Sequence, residues 1–282
     1  MARPLNIACL QTRPMPEFGS AIDEALGLAG RAVASGVQML FLPEYCGGLM
    51  TRDGVIRPPS APEAEHPVLA ALSGFARENA VWMQIGSVAV DGPDGTILNR
   101  GFMIDSAGRI VSRYDKIHMF DIQLSETEVY RESTFVTPGA EAVVEDTPWV
   151  RIGHSICYDL RFPQLYRDLA QAGAEILTVP AAFTQKTGEA HWHVLNRARA
   201  IENGAFVVSA CAHGEVPGGG ACYGHSLIVD PWGAVLGDGG EGAGVVRAVL
   251  DLDAVAAARM RIPSLTHDRA YRRPAVRAQA AE

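Results

Sequence analysis

Short runs of apolar and β-branched residues recur along the whole chain, each bounded by Gly, Pro, Asp or Asn. Runs of this length between turn-forming residues are typical of β-strands. The pattern predicts strands at residues 7–10, 37–42, 81–90, 97–104, 149–156, 175–179, 206–210, 226–229 and 245–252.

Between these strands the sequence predicts helices at residues 20–35, 67–79, 162–172 and 189–202. Ser20 is a suitable N-cap and Pro67 suits a first helical turn, while Gly36, Gly173 and Gly204 follow three of the predicted helix ends. Residues 213–221 contain four glycines and one proline and are expected to form a surface loop.

The predicted strands 81–90 and 97–104 flank an Asp-Gly-Pro-Asp-Gly segment, which predicts a hairpin. A purely parallel, doubly wound sheet would not contain such a hairpin. The pattern therefore favours the α/β class, with one mixed sheet, or two packed mixed sheets, and helices outside.

Composition narrows the classes of partner. The 282 residues include 24 basic and 32 acidic side chains, a formal charge of −8, with 48% hydrophobic residues. This composition is globular, and the acidic balance argues against nucleic acid or an anionic membrane as the main partner. No apolar stretch approaches the roughly 18 residues of a membrane span, and no signal peptide is recognised, so neither is expected.

The five cysteines are widely spaced, odd in number and contain no CxxC pair; they are Cys9, Cys46, Cys157, Cys211 and Cys222. This is not the pattern of a secreted disulfide framework. We expect free thiols and a cytoplasmic location.

Two charged residues stand at the ends of apolar segments. Glu44 follows the predicted strand 37–42, and burial there would raise the pKa of its carboxyl toward that of a general base; the alternative is an ion pair with an arginine. Lys116 lies in the segment Asp-Lys-Ile-His and is either a cation for an oxyanion or an ordinary solvated lysine.

Cys157 ends a predicted strand and precedes a turn and a helix. This arrangement exposes a nucleophile and places backbone N–H groups near the sulfur, which would lower the pKa of the thiol and stabilise an oxyanion. The alternative is a buried packing cysteine. With Glu44 and Lys116, however, Cys157 completes the set that covalent acyl transfer requires.

These three residues stand in motifs that resemble the nitrilase, or carbon–nitrogen hydrolase, superfamily and its Glu–Lys–Cys triad. The resemblance is to its Nit branch, which includes ω-amidase and deaminated glutathione amidase, and it spans residues 5–263. The matching phrases are LPE at 42–44, DKIH at 115–118, CYDLRFP at 157–163, AHW at 190–192, RARAIE at 197–202, GHS at 224–226 and DPWG at 230–233.

The resemblance implies a four-layer αββα sandwich of two mixed β-sheets flanked by helices. Residues 1–262 would form the carbon–nitrogen hydrolase domain, and the arginine-rich tail 263–282 would pack across an oligomer interface. We accordingly expect a homodimer or larger homo-oligomer. No metal or organic cofactor is expected.

The family also has a second glutamate between the lysine and the cysteine. Glu132 matches it, because it stands in an Arg-Glu-Ser segment shortly before Thr-Pro-Gly. Glu126 and Glu128 are nearby competitors that lack this context. The implied role of Glu132 is to orient Lys116 or to position the substrate amide or water.

The implied reaction is cysteine-dependent hydrolysis of a small linear amide through a thioester, with release of ammonia and with the Tyr158 backbone N–H assisting Lys116 at the oxyanion. The expected substrates are ω-amides of 2-oxo acids or compounds similar to deaminated glutathione. Arg161 would bind a substrate carboxylate or, alternatively, hold Asp159 or the turn. Three further residues are expected to line the pocket: Tyr45, Phe183 and Thr184.

Other functions stay open at this stage. An N-carbamoyl amino acid amidohydrolase of the same superfamily would release carbon dioxide with ammonia, and a non-catalytic scaffold would keep the fold without turnover. His191 and His193 form an HxH pair, but on a helix they do not share a face, so no metal site is expected from them. His118, His154 and His225 are expected to make structural hydrogen bonds.

Overall fold

The computed structural model describes residues 3–52, 55–126 and 128–272. Its helices are α1 (Phe18–Val33), α2 (Pro67–Asn79), α3 (Pro163–Gln171), α4 (Gln185–Asn203) and α5 (Asp253–Arg261). Its strands are β1 (Pro4–Gln11), β2 (Met39–Phe41), β3 (Thr51–Arg52), β4 (Val55–Ile56), β5 (Ser60–Ala61), β6 (Trp82–Asp91), β7 (Ile97–Ile104), β8 (Ile110–Asp115), β9 (Asp121–Gln123), β10 (Val129–Arg131), β11 (Val144–Asp146), β12 (Arg151–Gly153), β13 (Ile176–Thr178), β14 (Phe206–Ser209), β15 (His213–Glu215), β16 (Ala221–Tyr223), β17 (Leu227–Val229), β18 (Val235–Asp238) and β19 (Gly244–Asp251).

Two mixed sheets form the centre. The first has the order β19-β1-β2-β6-β7-β8, with β5 beside β6, and its β1-β2-β6 core is parallel whereas β19, β7 and β8 run antiparallel to their neighbours. The second has the order β11-β12-β13-β14-β17-β18, with a parallel centre and antiparallel edges. The predicted hairpin between residues 81–90 and 97–104 is confirmed as β6–β7.

Alternation of side chains along the strands builds three apolar layers. On β1, Ile7 and Cys9 face the second sheet, where they join Ile176 and Phe206 in the core between the sheets. Ala8 and Leu10 on the opposite face of β1 pack in the core beneath α1 and α2. A third core lies between the second sheet and helices α3 and α4. The result is the expected four-layer αββα sandwich.

Some local boundaries differ from the predictions. The predicted N-cap Ser20 is wrong, because α1 begins at Phe18 and the Ser20 hydroxyl instead donates to the carbonyl of Glu17 within the first turn. Helix α5 was not predicted, although its Ala-rich segment after Asp253 is a suitable helix former. The expected loop 213–221 is in fact the hairpin β15–β16, tied by the Thr51 N–H to the carbonyl of Pro217 at 2.7 Å.

The chain after α5 packs on its own α3 as far as the structure describes it. Asp268 accepts hydrogen bonds from the side chains of Arg167 and Gln171. Residues 273–282, including the predicted tail arginines Arg273 and Arg277, lie outside the described residues. Among the described helices, none combines the length and apolar character needed to cross a membrane.

Candidate active site

A cavity of about 190 Å³ opens at one edge of the two sheets. Glu44, Lys116, Glu132 and Cys157 all line it, although they lie far apart in the sequence. All four side chains are buried. The structure therefore brings together the four residues that the motifs single out.

Glu44 follows strand β2 and lies against β6, where Gly86 permits a close approach. A Cβ added at Gly86 would lie 2.1 Å from the carbonyl oxygen of Leu42, so any other residue would displace the segment that carries the glutamate. The Glu44 Oε1 accepts from Lys116 Nζ at 2.9 Å and from Asn99 Nδ2 at 2.9 Å, and Oε2 accepts from the Ala182 N–H at 2.9 Å.

Lys116 lies between two carboxylates. Its Nζ is 2.9 Å from Glu44 Oε1 and 2.9 Å from each oxygen of Glu132. Asn99 also reaches Glu132 at 3.3 Å, and the Phe120 N–H donates to Glu132 Oε2 at 2.6 Å. Burial alone would lower the pKa of Lys116, but the charges of Glu132 and Glu44 raise it well above its usual value.

The electrostatics of Glu44 differ from the sequence expectation. Burial does act to raise the pKa of its carboxyl, but the charge and hydrogen bond of Lys116 and the Ala182 N–H outweigh it, so the pKa lies below its usual value. The expected rise in the pKa of Glu44 is therefore wrong. The neighbours that reverse it come from sequence positions that a strand pattern does not relate to Glu44.

Cys157 stands at the start of a one-turn helix over residues 157–161 and has a φ of 48°. A non-glycine residue in this left-handed region is strained and is held by its surroundings, here by its N–H donating to the carbonyl of Pro180 at 2.9 Å. Burial, and then the charge of Glu44, raise the pKa of the thiol well above its usual value, although Lys116 opposes this. The expected lowering of the pKa of Cys157 by backbone donors is wrong, since burial and Glu44 dominate.

Asp159, two residues after the cysteine, connects this turn to the segment that carries Lys116. Its buried carboxylate accepts from the Tyr114 hydroxyl at 2.7 Å, from the His118 N–H at 3.0 Å and from the Ile156 N–H at 2.8 Å. The alternative in which Arg161 holds Asp159 is wrong, because these other donors surround it and the Arg161 guanidinium contacts His191 instead.

The structure places Tyr45, Phe183 and Thr184 in the wall of the cavity, and Tyr158 lines it as well. Tyr45 has a φ of 51°, and its hydroxyl is buried with no hydrogen-bond partner among the described residues. Thr187, one turn further along α4, also lines the cavity and was not predicted.

The arginines are placed differently from the prediction. Arg161 is absent from the cavity wall among the described residues, and its guanidinium carbon lies 5.8 Å from the ring centroid of Tyr158 and 5.5 Å from that of Phe183. Arg131, which the sequence did not single out, lines the cavity and is exposed. Within the described part of the chain, its guanidinium uses Nη1 to bond the carbonyls of Ile122 and Tyr130.

Asn99 and the Ala182 N–H are the other contributors that sequence reasoning missed. Asn99 is a buried amide within the apolar strand β7, and a polar residue at an inward position of such a strand is a usable signal. The Ala182 N–H has no signal in the sequence, because any residue type offers a backbone donor.

Two hairpins contribute to the wall of the cavity, and Thr51, Val55 and Gly219 are among its lining residues. Thr51 of β3 donates its hydroxyl to the carbonyl of Gly219 at 3.0 Å, so the β3–β4 and β15–β16 hairpins contact each other. Gly218 has a φ of 91°, and a Cβ there would lie 1.8 Å from the carbonyl oxygen of Thr51. The glycines of this segment therefore permit a backbone contact that no larger residue would allow.

Comparison with known proteins decides the family. The sequence profile described as carbon–nitrogen hydrolase matches residues 6–260. The chain belongs to the carbon–nitrogen hydrolase family. The deaminated glutathione amidase of Yersinia enterocolitica is 37% identical over 239 residues, 83% of each chain, and that of Dictyostelium discoideum is 38% identical over 247 residues, 84% of each chain.

The solved structure of the Caenorhabditis elegans NitFhit protein is similar to this hydrolase with a TM-score of 0.87 and 33% identity. The similarity covers 95% of this chain and 66% of that chain. The expectations of the superfamily, the αββα sandwich and a cysteine-dependent amidase are confirmed.

The remaining thiols and histidines of this hydrolase occupy varied settings. All five cysteines are free and buried, and Cys222 lines the cavity besides Cys157. His191 and His193 point to different partners, as their spacing predicts: His191 contacts Arg161, whereas His193 contacts Asp238. The expected structural hydrogen bond is wrong for His154, whose ring nitrogens have no partner among the described residues.

Proposed function

We propose that this hydrolase cleaves amides of a short 2-oxo dicarboxylic acid, with Cys157 as nucleophile, Glu44 as general base and acid, and Lys116 as the cation at the oxyanion. The observation that carries the proposal is the burial of all four polar groups around one small cavity. Burying a cation, two carboxylates and a thiol together costs desolvation free energy. Clusters of this kind are concentrated at catalytic sites.

The charge states indicate when the proton moves. The resting site holds a neutral thiol and an ionised Glu44, because the pKa of the thiol is raised and that of the carboxyl is lowered. Glu44 therefore takes the thiol proton as sulfur attacks the amide carbon, and not beforehand. The electron pair of the carbonyl moves to oxygen, which the Lys116 ammonium and the Tyr158 N–H stabilise.

Attack of the sulfur gives a tetrahedral intermediate, and its collapse breaks the C–N bond. Glu44 returns the proton to the departing amine nitrogen, and the acyl group remains on Cys157 as a thioester. Glu44 then removes a proton from water, which attacks the thioester, and the thiol is reprotonated as the acid leaves. Glu132 and Asn99 hold Lys116 and Glu44 in place throughout.

The size of the cavity favours a short acyl group. About 190 Å³ is below the roughly 300–1,000 Å³ typical of sites for drug-sized ligands. Deaminated glutathione and 2-oxoglutaramate carry the same 2-oxoglutaryl group and differ only in the amine that leaves, which is cysteinylglycine or ammonia. Both would form the same thioester on Cys157. The leaving amine, in which they differ, would lie at the opening of the cavity.

Two arginines are candidates for binding the substrate carboxylates. We propose that Arg161, behind Tyr158 and Phe183, faces the acyl carboxylate when substrate enters, and that Arg131 at the exposed wall binds a carboxylate on the leaving amine. The sequence similarity to two deaminated glutathione amidases supports an extended, carboxylated leaving group. Arg131 bonds carbonyls of the described residues through Nη1, which leaves its other guanidinium nitrogens without a partner in that part of the chain and able to donate to a carboxylate.

The test compares kcat/KM for 2-oxoglutaramate and for deaminated glutathione in the wild type, Arg131→Lys and Arg161→Lys. We expect Arg131→Lys to lower kcat/KM about tenfold for deaminated glutathione alone, corresponding to about 1.4 kcal/mol, and Arg161→Lys to lower both. Equal effects of Arg131→Lys on the two substrates would overturn its role. Release of carbon dioxide from N-carbamoyl amino acids at a higher kcat/KM than either would favour the carbamoylase instead.

We further propose a homodimer in a reducing, cytoplasmic setting. Ile201 on α4, Trp232 after β17 and Ile262 after α5 are each at least half exposed, and the Ile201 side chain lies beside Gly233 while Arg261 stacks on Trp232. Large apolar side chains grouped in this way are typical of an interface. Analytical ultracentrifugation should give a dimer for the wild type and a monomer for Trp232→Lys, and a monomeric wild type would contradict the proposal.

A further inference from the structure

His193, His225 and Asp238 form a cluster outside the active site that the proposed reaction does not use. His193 lies on α4, His225 follows β16, and Asp238 ends β18. The His193 Nε2 is 3.0 Å from Asp238 Oδ2, and the His225 Nδ1 is 2.9 Å from Asp238 Oδ1. One donor atom from each residue lies within 4.8 Å of the other two.

We propose that these three residues form a binding site for a divalent transition-metal ion, with zinc as the expected occupant. Two imidazoles and one carboxylate are ligands that zinc accepts, at about 2.0–2.2 Å each. Two ligands on a tetrahedral ion at those distances are separated by about 3.3 Å. The two nitrogen–oxygen distances, from His193 to Oδ2 and from His225 to Oδ1 of Asp238, are close to this separation. An ion held by the two imidazoles and this carboxylate would take water as its fourth ligand.

The surroundings favour a cation and leave it a path of entry. The side chains of His193, His225 and Asp238 are 35%, 23% and 35% exposed, so solvent reaches the cluster without unfolding. The Asp238 carboxylate, which both imidazoles face, supplies the negative charge that would attract a divalent ion.

Several contacts would orient the ligands. The Gly240 N–H donates to Asp238 Oδ1 at 2.9 Å, and the Tyr223 ring stacks on the His225 ring at 4.5 Å between centroids. Such supporting contacts fix the orientation of metal ligands. On binding, each imidazole would offer the nitrogen that now faces Asp238, so a proton on that nitrogen would move to the other ring nitrogen or leave to solvent.

The position of the cluster gives the ion a structural role. It would join α4, the end of the β15–β16 hairpin and β18, and both α4 and this hairpin contribute residues to the wall of the cavity, including Thr187 and Cys222. The metal would thus stabilise one wall of the active site without touching the substrate. This role is independent of the substrate proposed above.

The test is isothermal titration calorimetry, which measures the affinity and stoichiometry of Zn²⁺ binding to the chelator-treated full chain. It compares the wild type with His193→Gln, His225→Gln and Asp238→Asn. His191→Gln is the matched control, because His191 lies on the same helix and outside the cluster. We expect one equivalent bound by the wild type and by His191→Gln, with an affinity at least about tenfold lower in each cluster variant. Zn²⁺ should also raise the Tm of the wild type but not that of the cluster variants.

The proposal is overturned if the cluster variants bind Zn²⁺ as tightly as the wild type does, or if the wild type binds no Zn²⁺. Circular dichroism of the metal-free variants separates a lost ligand from a lost fold. The isosteric Asp238→Asn keeps the shape of the cluster if a histidine variant fails to fold. A cobalt-substituted wild type should show the visible absorption of a tetrahedral site, and its absence would equally count against the assignment.

Discussion

The ammonium of Lys116 lies 2.9 Å from each carboxylate oxygen of Glu132. This contact and the 2.9 Å contact with Glu44 together fix the cation, so the lysine is positioned before substrate arrives. The preorganisation of charge is the main contribution that a protein makes to stabilising an oxyanion.

Replacing Glu132 should therefore impair turnover more than binding. We expect Glu132→Gln to lower kcat about 100-fold or more with a much smaller change in KM, since Lys116 loses a charged partner and its fixed position. Steady-state kinetics on 2-oxoglutaramate measure both. Glu126→Gln, an exposed neighbour in the same segment, is the control and should match the wild type. A kcat for Glu132→Gln within about threefold of the wild type would contradict this role.

The Tyr45 hydroxyl gives a prediction in which stability and activity move in opposite directions. It is buried without a partner among the described residues, a condition that costs about 1–3 kcal/mol. Tyr45→Phe should thus raise the free energy of unfolding by about 1 kcal/mol. It should lower kcat/KM about tenfold, because the hydroxyl would bond the substrate.

Urea unfolding and steady-state kinetics test both parts. Tyr166→Phe is the matched control, since the Tyr166 hydroxyl is buried but bonded to Ser155 at 2.6 Å, and its loss should destabilise the fold. Were Tyr45→Phe to lose stability while keeping full activity, the hydroxyl would have a structural role only.

The pH dependence follows from the lowered pKa of Glu44. A general base with a lowered pKa stays ionised until the pH falls below about 4.3, so kcat/KM should be flat from weakly acidic pH upward and decline only below that value. Because the pKa of Cys157 is raised, no rise in kcat/KM should mark its ionisation near pH 8.5. Rates measured from pH 3.5 to 9.5, with circular dichroism to confirm folding, test this. An acid limb centred near pH 6–7 would instead indicate that burial dominates at Glu44.

Asp159 should stabilise the fold as well as position the segments that carry Cys157 and Lys116. Its buried carboxylate accepts from Tyr114, His118 and Ile156, and an amide in its place would set an NH₂ group against some of these donors. We expect Asp159→Asn to lower the free energy of unfolding by about 3 kcal/mol. Asp168→Asn, an exposed aspartate on α3, should change it little. Equal urea midpoints for the two variants would show that the network contributes nothing.

The fold class and the four central residues could be predicted from different features of the sequence. Periodic apolar runs predict strands and helices because burial of one face drives their formation, as for β6 and β7. Glu44, Lys116, Glu132 and Cys157 were identified from motifs, and the structure places them around one cavity.

The electrostatics of the site could not be predicted in this way. The pKa of Glu44 depends on Lys116 and on the Ala182 N–H, which lie 72 and 138 residues away. Local burial was the only cause visible in the sequence, and it acts in the opposite direction. For the same reason, the sequence did not indicate that Arg131 lines the cavity or that His193 contacts Asp238. These residues reach their neighbours only in the folded chain.

The central claim is covalent catalysis by Cys157, and the most direct measurement is peptide mass spectrometry of the protein quenched in acid during turnover of 2-oxoglutaramate. We predict a 2-oxoglutaryl group on Cys157, with Cys9, Cys46, Cys211 and Cys222 unmodified, and the same adduct from deaminated glutathione if that compound is also a substrate. Cys157→Ala should show no adduct and lose several orders of magnitude in kcat. Turnover by Cys157→Ala at a rate near that of the wild type, or an acyl group on another cysteine, would contradict the account.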